Sequence, residues 1–116
     1  MIQAVFAGLP VADFDAAIEF YERLFGRPAD LVPKEGDSAW RLADPGWVYV
    51  VRDDDRSGRG LLTLLVDDLE AHVAELAGRG IETDPIETVP GTLARTVVTD
   101  PAGNTIQLAQ PLGGRS

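Results

Sequence analysis

Apolar residues recur at helical spacing early in the chain. Phe14, Ala17, Ile18, Tyr21 and Phe25 fall at i, i+3, i+4, i+7 and i+11, with Asp15, Glu19, Glu22 and Arg23 on the opposite side. Asp13 is placed to cap this helix, Gly26 to end it, and Pro28 prevents its resumption. The stretch before it, Ile2 to Leu9, reads as a strand. A second helix starts after Asp68, with Leu69, Val73, Leu76 and Ala77 on one face, and stops around Gly78-Arg79-Gly80. It too follows a strand, Leu61 to Val66.

The two starts match. Val11-Ala12-Asp13-Phe14-Asp15-Ala16 aligns with Val66-Asp67-Asp68-Leu69-Glu70-Ala71 at an offset of 55 residues (66 − 11), and the same offset pairs Ile18 with Val73 and Tyr21 with Leu76. Such a long period points to a duplicated structural unit. Each helix leaves room for three strands. In the first half these are Asp30 to Lys34, Ser38 to Ala43 and Trp47 to Arg52; in the second, Thr83 to Thr88, Thr92 to Thr99 and Thr105 to Gln110. Turns are expected at Glu35-Gly36-Asp37, Asp44-Pro45-Gly46, Pro90-Gly91 and Asp100-Pro101-Ala102-Gly103-Asn104. The predicted fold is α+β: two tandem βαβββ modules whose mixed sheets form a cup with helices on the outer face. The first module spans 1–52, a charged linker 53–58, the second module 59–110 and a tail 111–116, all within one domain.

Three segments carry a family resemblance: Leu9-Pro10-Val11-Ala12-Asp13 leading to Phe20-Tyr21-Glu22-Arg23-Leu24-Phe25-Gly26, then Val66-Asp67-Asp68-Leu69, then Asp100-Pro101-Ala102-Gly103-Asn104. In that order and at that period they resemble the vicinal oxygen chelate superfamily, the glyoxalase, bleomycin-resistance and dioxygenase-like proteins. The resemblance implies the cupped fold and, for metal-dependent members, a divalent ion held by His and Glu from the first and last strands of each module. Carried onto this chain, the first-strand position seven residues before Asp13 is Phe6, and its repeat partner is Leu61. The last-strand position three residues after Asn104 is Gln107, and the fourth is Val51 or Arg52. Phenylalanine and leucine cannot ligate a metal, and a glutamine amide is a weak neutral donor where several imidazoles or carboxylates are needed. The one histidine, His72, sits in the second helix, where its expected role is local packing or hydrogen bonding. No metal, other cofactor or catalytic constellation is therefore expected. The resemblance also implies a homodimer with two cups, each completed by modules of one chain or of both.

Strand alternation assigns faces. If Phe6, Leu61 and Gln107 face the cup, so do Ala4, Gly8, Thr63, Leu65, Thr105 and Ala109, while Val5, Ala7, Leu62, Leu64, Val66, Ile106 and Leu108 face the helices. Trp40 alternates with Arg41, and Trp47, Tyr49 and Val51 share one face. The expected ligand-binding set is Phe6, Trp40, Trp47, Tyr49, Leu61, Thr63 and Gln107, with Arg41 or Arg95 as further polar groups. Clustered rings of this kind suit a flat, partly apolar ligand oriented by a few polar contacts.

Composition narrows the partners. Formal charge is −9, from 10 Lys+Arg against 19 Asp+Glu, and no basic stripe is present to attract phosphate backbones or anionic lipids. With no cysteine, disulfides, thiolate sites and cysteine nucleophiles are excluded. No apolar run approaches the roughly 20 residues of a membrane span, and the N-terminus lacks a secretory pattern. A cytoplasmic, bacterial setting is expected. The leading function is a metal-independent binding protein that sequesters an aromatic or polycyclic compound such as an antibiotic. The alternatives are a metal-independent isomerase, lyase or transferase, and an interaction module without a ligand.

Overall fold

The computed structural model describes residues 1–112; residues 113–116, the end of the expected tail, lie outside the described residues. The elements run β1 (Val5–Val11), α1 (Phe14–Phe25), β2 (Leu31–Lys34), β3 (Asp37–Arg41), β4 (Gly46–Arg52), β5 (Leu61–Leu65), α2 (Leu69–Gly78), β6 (Glu87–Val89), β7 (Leu93–Thr99) and β8 (Thr105–Pro111). Each half of the chain builds one four-stranded sheet, in the orders β1-β4-β3-β2 and β5-β8-β7-β6. In both sheets the first strand runs parallel to the last, and the remaining pairs are antiparallel. The architecture is the expected α+β pair of βαβββ modules.

Local chemistry accounts for the helix ends. The Asp13 side chain accepts from the Ala16 amide at 3.1 Å, and Asp68 does the same for Ala71 at 3.1 Å. Gly26 ends α1 in the left-handed region, φ 80°, and its N–H reaches the Glu22 carbonyl. Strand limits differ more from expectation. β1 starts later and continues through Pro10, because it is an edge strand where a missing N–H removes no ladder bond. The strand expected over Thr83 to Thr88 is reduced to Glu87–Val89. Pro85 interrupts it, and Asp84 makes isolated contacts instead: its N–H donates to the Val97 carbonyl and its carbonyl accepts from Thr96 Oγ1.

Both helices and one face of each sheet meet in a single apolar cluster that includes Leu9, Val11, Tyr21, Trp40, Val50, Leu62, Leu76, Ile106 and Leu108. Ala7, Leu62, Leu64, Val66, Ile106 and Leu108 join it as the alternation predicts. Val5 does not: it starts an edge strand and is 62% exposed. Ala77, assigned to the buried face of α2, is likewise exposed at the last turn, whereas Ala109, assigned to the open face, is buried.

A polar network joins the two halves. Buried Asp100 accepts from the Tyr21 hydroxyl at 2.7 Å, from the Asn104 side chain at 2.8 Å, and from the amides of Ala102 and Asn104. Asn104 in turn donates to the Pro10 carbonyl at 2.8 Å and accepts from the Gly60 amide at 2.6 Å. Burial, and then the neighbouring Asp100 carboxylate, push the Tyr21 phenol far above its ordinary range. A satisfied network of this kind fixes which groups meet as well as how strongly they meet.

Candidate functional site

The first sheet has one face in the core and one face open. Parallel pairing sets Phe6 beside Trp47 and Gly8 beside Tyr49, while β3 sets Ala39 beside Tyr49 and Arg41 beside Trp47. Period-two alternation then places Phe6, Trp47 and Tyr49 together on the open face. Phe6 and Trp47 stack, with ring centroids 5.2 Å apart and planes 16° from parallel, and the Tyr49 ring lies 6.5 Å from Phe6 at a tilt of 60°. Offset stacking of this kind is favourable beyond the area it covers. Phe6 is still 51% exposed, so the stack offers ring surface to an incoming molecule.

Gly8 makes the Tyr49 position possible. A Cβ at residue 8 would lie 2.5 Å from Tyr49 Cζ and 2.6 Å from its hydroxyl oxygen, so the ring rests where any side chain would stand. Arg41 borders the stack and pairs with Asp44 at 2.7 Å. At the far end of β3, Asp37 lies opposite Val51 and has a buried Oδ1 without a hydrogen-bond partner among the described residues.

The second sheet repeats the geometry with different side chains. Leu61, Thr63 and Leu65 alternate onto the open face, and Thr63 lies beside Gln107, whose Nε2 donates to Thr63 Oγ1 at 3.4 Å. Leu61 is 76% and Leu65 71% exposed. Arg95 shares this side, pairing across the strands with Glu87 at 3.0 Å. The expected site residues therefore form two groups, Phe6 with Trp47 and Tyr49, and Leu61 with Thr63 and Gln107.

Trp40 belongs to neither group. It is fully buried on the helix side of the first sheet, with its indole N–H donating to the Arg27 carbonyl at 2.9 Å and its rings packed on Phe25 and Tyr21 at 5.3 and 6.3 Å. The physical reason is register: Trp40 opposes Val48, a core position, whereas Trp47 opposes Arg41. Clustering in sequence brought the two tryptophans to one sheet but to opposite faces.

Register also fixes the fourth position of the family pattern. Thr63 faces Gln107 as Gly8 faces Tyr49, so the equivalent of Gln107 is Tyr49, at an offset of 58 (107 − 49) rather than 55. Val51 shares the Tyr49 face, and Arg52 alternates away from it. The four positions are then Phe6, Tyr49, Leu61 and Gln107, a set with no imidazole and no carboxylate. Such a set does not fit a divalent ion. Among the described residues no group of three or more His, Cys, Asp or Glu side chains is arranged to hold a metal. His72 lies half-buried on α2 near Leu65, in an acidic surface cleft with Asp67, Asp68 and Glu75.

Sequence reasoning did not single out the linker. It turns back so that Asp53 and Arg56, with the adjoining Arg59, line a cleft of about 390 Å³ with Gly8, Pro10, Tyr49 and Val51. Its charge run had the signature of a solvated segment, and only the fold brings Arg56 and the adjoining Arg59 into a cleft with Tyr49.

No helix in the described structure is long and apolar enough to cross a membrane. A sequence model of the Glyoxalase/Bleomycin resistance protein/Dioxygenase superfamily matches residues 3–108. No curated protein matches the chain. Among solved structures, a glyoxalase/bleomycin resistance protein from Catenulispora acidiphila is 30% identical, with a TM-score of 0.88 over 94% of this chain and 98% of that one. An antibiotic-binding protein from a Streptomyces species is 28% identical, with a TM-score of 0.74 over 96% and 97% of the two chains. A bleomycin-binding protein solved with bleomycin shares the fold at 22% identity, with a TM-score of 0.75 over 95% of this chain and 98% of that one.

Proposed function

Because the chain belongs to the Glyoxalase/Bleomycin resistance protein/Dioxygenase superfamily, we propose that its open sheet faces form a metal-independent cup that binds an aromatic or polycyclic compound without converting it. The observation that carries this reading is the Phe6–Trp47 stack with Tyr49 beside it on a face the core leaves free. A planar ligand gains by continuing such a stack, and Thr63 and Gln107 supply hydrogen-bonding groups that orient without charge. None of the four family ligand positions can hold a divalent ion, so binding has no metal step. The antibiotic-binding and bleomycin-binding neighbours give this use of the fold a precedent.

A homodimer is part of the same proposal, and the exposed apolar faces support it. Leu61, Leu65 and Phe6 are large apolar side chains more than half exposed, and a second copy laid across them would cover that surface and bring the two residue groups to one cup. The protein then acts in solution inside the cell, as a sink for a small molecule.

The test is a thermal shift and calorimetric screen on purified protein, with chelator-treated and metal-loaded samples beside a panel of planar aromatic compounds. Binding to the folded form raises the melting temperature with saturation. The expected result is stabilisation by a planar aromatic compound, weakened in Trp47→Ala, and none by nickel, zinc or manganese. Strong stabilisation by a divalent ion, or indifference to the whole panel, overturns the proposal.

A further inference from the structure

The aromatic face ends in a cleft whose opposite wall carries two arginines and one aspartate, Arg56, Arg59 and Asp53. Gly8, Pro10, Tyr49 and Val51 supply the sheet side, Asp53 and Arg56 come from the linker, and Arg59 directly follows it. Most arginines near this face have carboxylate partners: Arg56 with Asp53 at 3.5 Å, Arg52 with Asp54 at 4.0 Å and Arg41 with Asp44 at 2.7 Å. Arg59 has no ion-pair partner among the described residues. Its backbone is nonetheless held on both sides. The Gly58 amide donates to the Pro10 carbonyl at 3.3 Å, and the Gly60 amide donates to buried Asn104 at 2.6 Å. An unpaired guanidinium on a tethered backbone, lining the same cleft as the Tyr49 ring, offers a planar fork to a planar anion.

We propose that this cleft receives the carboxylate end of an aromatic acid, with the ring system against Tyr49 and Arg59 selecting the acid. The proposal rests on the reading of the Phe6–Trp47–Tyr49 face as the ligand face and adds the charge of the ligand to it. The chain's net charge of −9 does not oppose this: the one carboxylate lining the cleft, Asp53, is paired with Arg56 at 3.5 Å, and fields from distant carboxylates are screened within about 8 Å at physiological salt. The guanidinium acts at contact distance. At neutral pH an aromatic carboxylic acid is ionised, so recognition involves no proton transfer.

The experiment compares three isosteric probes, naphthoate, naphthamide and naphthylmethylammonium, by calorimetry on the full chain and on Arg59→Gln and Arg59→Lys. The acid is expected to bind at least about fivefold more tightly than the amide, as a part-exposed charge pair provides. That ratio falls to about one in Arg59→Gln, through loss of the charged partner, and partly returns in Arg59→Lys. Equal affinity for acid and amide, a preference for the ammonium, or a ratio that survives in Arg59→Gln overturns the acid assignment while leaving the aromatic face as the ligand site. If none of the three probes binds, and affinity for the wider aromatic panel is also absent, the ligand-face reading falls with it.

Discussion

Replacing Asn104 with alanine removes the residue through which the two halves of the chain share hydrogen bonds. Its amide is fully buried and has three partners: the Gly60 amide, the Pro10 carbonyl and the Asp100 carboxylate. Truncation leaves them unequally. The Pro10 carbonyl keeps the Gly58 amide at 3.3 Å, and Asp100 keeps the Tyr21 hydroxyl and two backbone amides. The Gly60 N–H loses its side-chain acceptor, which costs about 1–3 kcal/mol for a buried donor, and the lost bond to a charged acceptor adds about 1.5–3 kcal/mol. Allowing for partial relaxation, Asn104→Ala is expected to destabilise by about 3–5 kcal/mol. A domain of this size has about 5–15 kcal/mol in total, so the loss takes a large share.

Tyr21→Phe is the calibrating variant. It keeps the ring against Phe25 and Trp40 and removes one donor to Asp100, for an expected loss of about 1–2 kcal/mol. Both substitutions act on the same carboxylate oxygen, so the double variant should depart from additivity. Urea denaturation followed by near-ultraviolet circular dichroism measures all three. If Asn104→Ala loses less than Tyr21→Phe, water has replaced the amide and the halves are held by apolar packing alone, contrary to the network described above.

Other outcomes are accessible with the same material. Gly8→Ala should leave the melting temperature nearly unchanged, because residue 8 faces the open side, yet abolish aromatic binding, because its Cβ would stand 2.5 Å from Tyr49 Cζ and displace the ring; calorimetry against the aromatic panel checks it. Phe6→Ala removes one partner of the stack and should weaken such binding by about 0.5–1.5 kcal/mol with little change in stability. Asp37→Asn replaces a carboxylate whose buried Oδ1 has no donor and should raise stability by up to about 1 kcal/mol in thermal melts, whereas a loss would reveal a partner for that oxygen. The Tyr21 phenol is pushed up by burial and by Asp100, so the unfolded chain releases this proton more readily than the folded one. Stability from this group is complete below the ordinary tyrosine range and falls as pH rises through about 10 and beyond. Tyr21→Phe should flatten that alkaline decline in denaturation midpoints, and an unchanged slope would assign the decline to other groups.

Legibility followed the range of the interactions involved. Helix caps at Asp13 and Asp68 and the stop at Gly26 are local chemistry, and the sequence states them almost to the residue. Face alternation in β1, β5 and β8 was also legible, since a strand's own period carries it as far as the strand is regular. Trp40 shows where this ends. Its side is set by pairing with Val48 across a turn, and no pattern within β3 reveals which residues the turn will align. Tyr49 shows the same limit over a longer distance: the repeat offset grows from 55 at the helices to 58 at the last strands, so an offset measured at the helices lands three residues late, on Arg52. The Tyr21–Asp100 bond spans 79 residues, and the aspartate that makes it looked in sequence like ordinary turn chemistry. Where the linker runs in the fold was not legible for a related reason. The acidic run is largely exposed, as its composition suggests, while Gly58 and Gly60 after it are tied down beside β1, and that tether places Arg59 in the cleft that Tyr49 also lines. The shape of the proposed ligand is thus argued from strands that sequence can read, whereas the charge proposed for it rests on a cleft that only the folded chain creates.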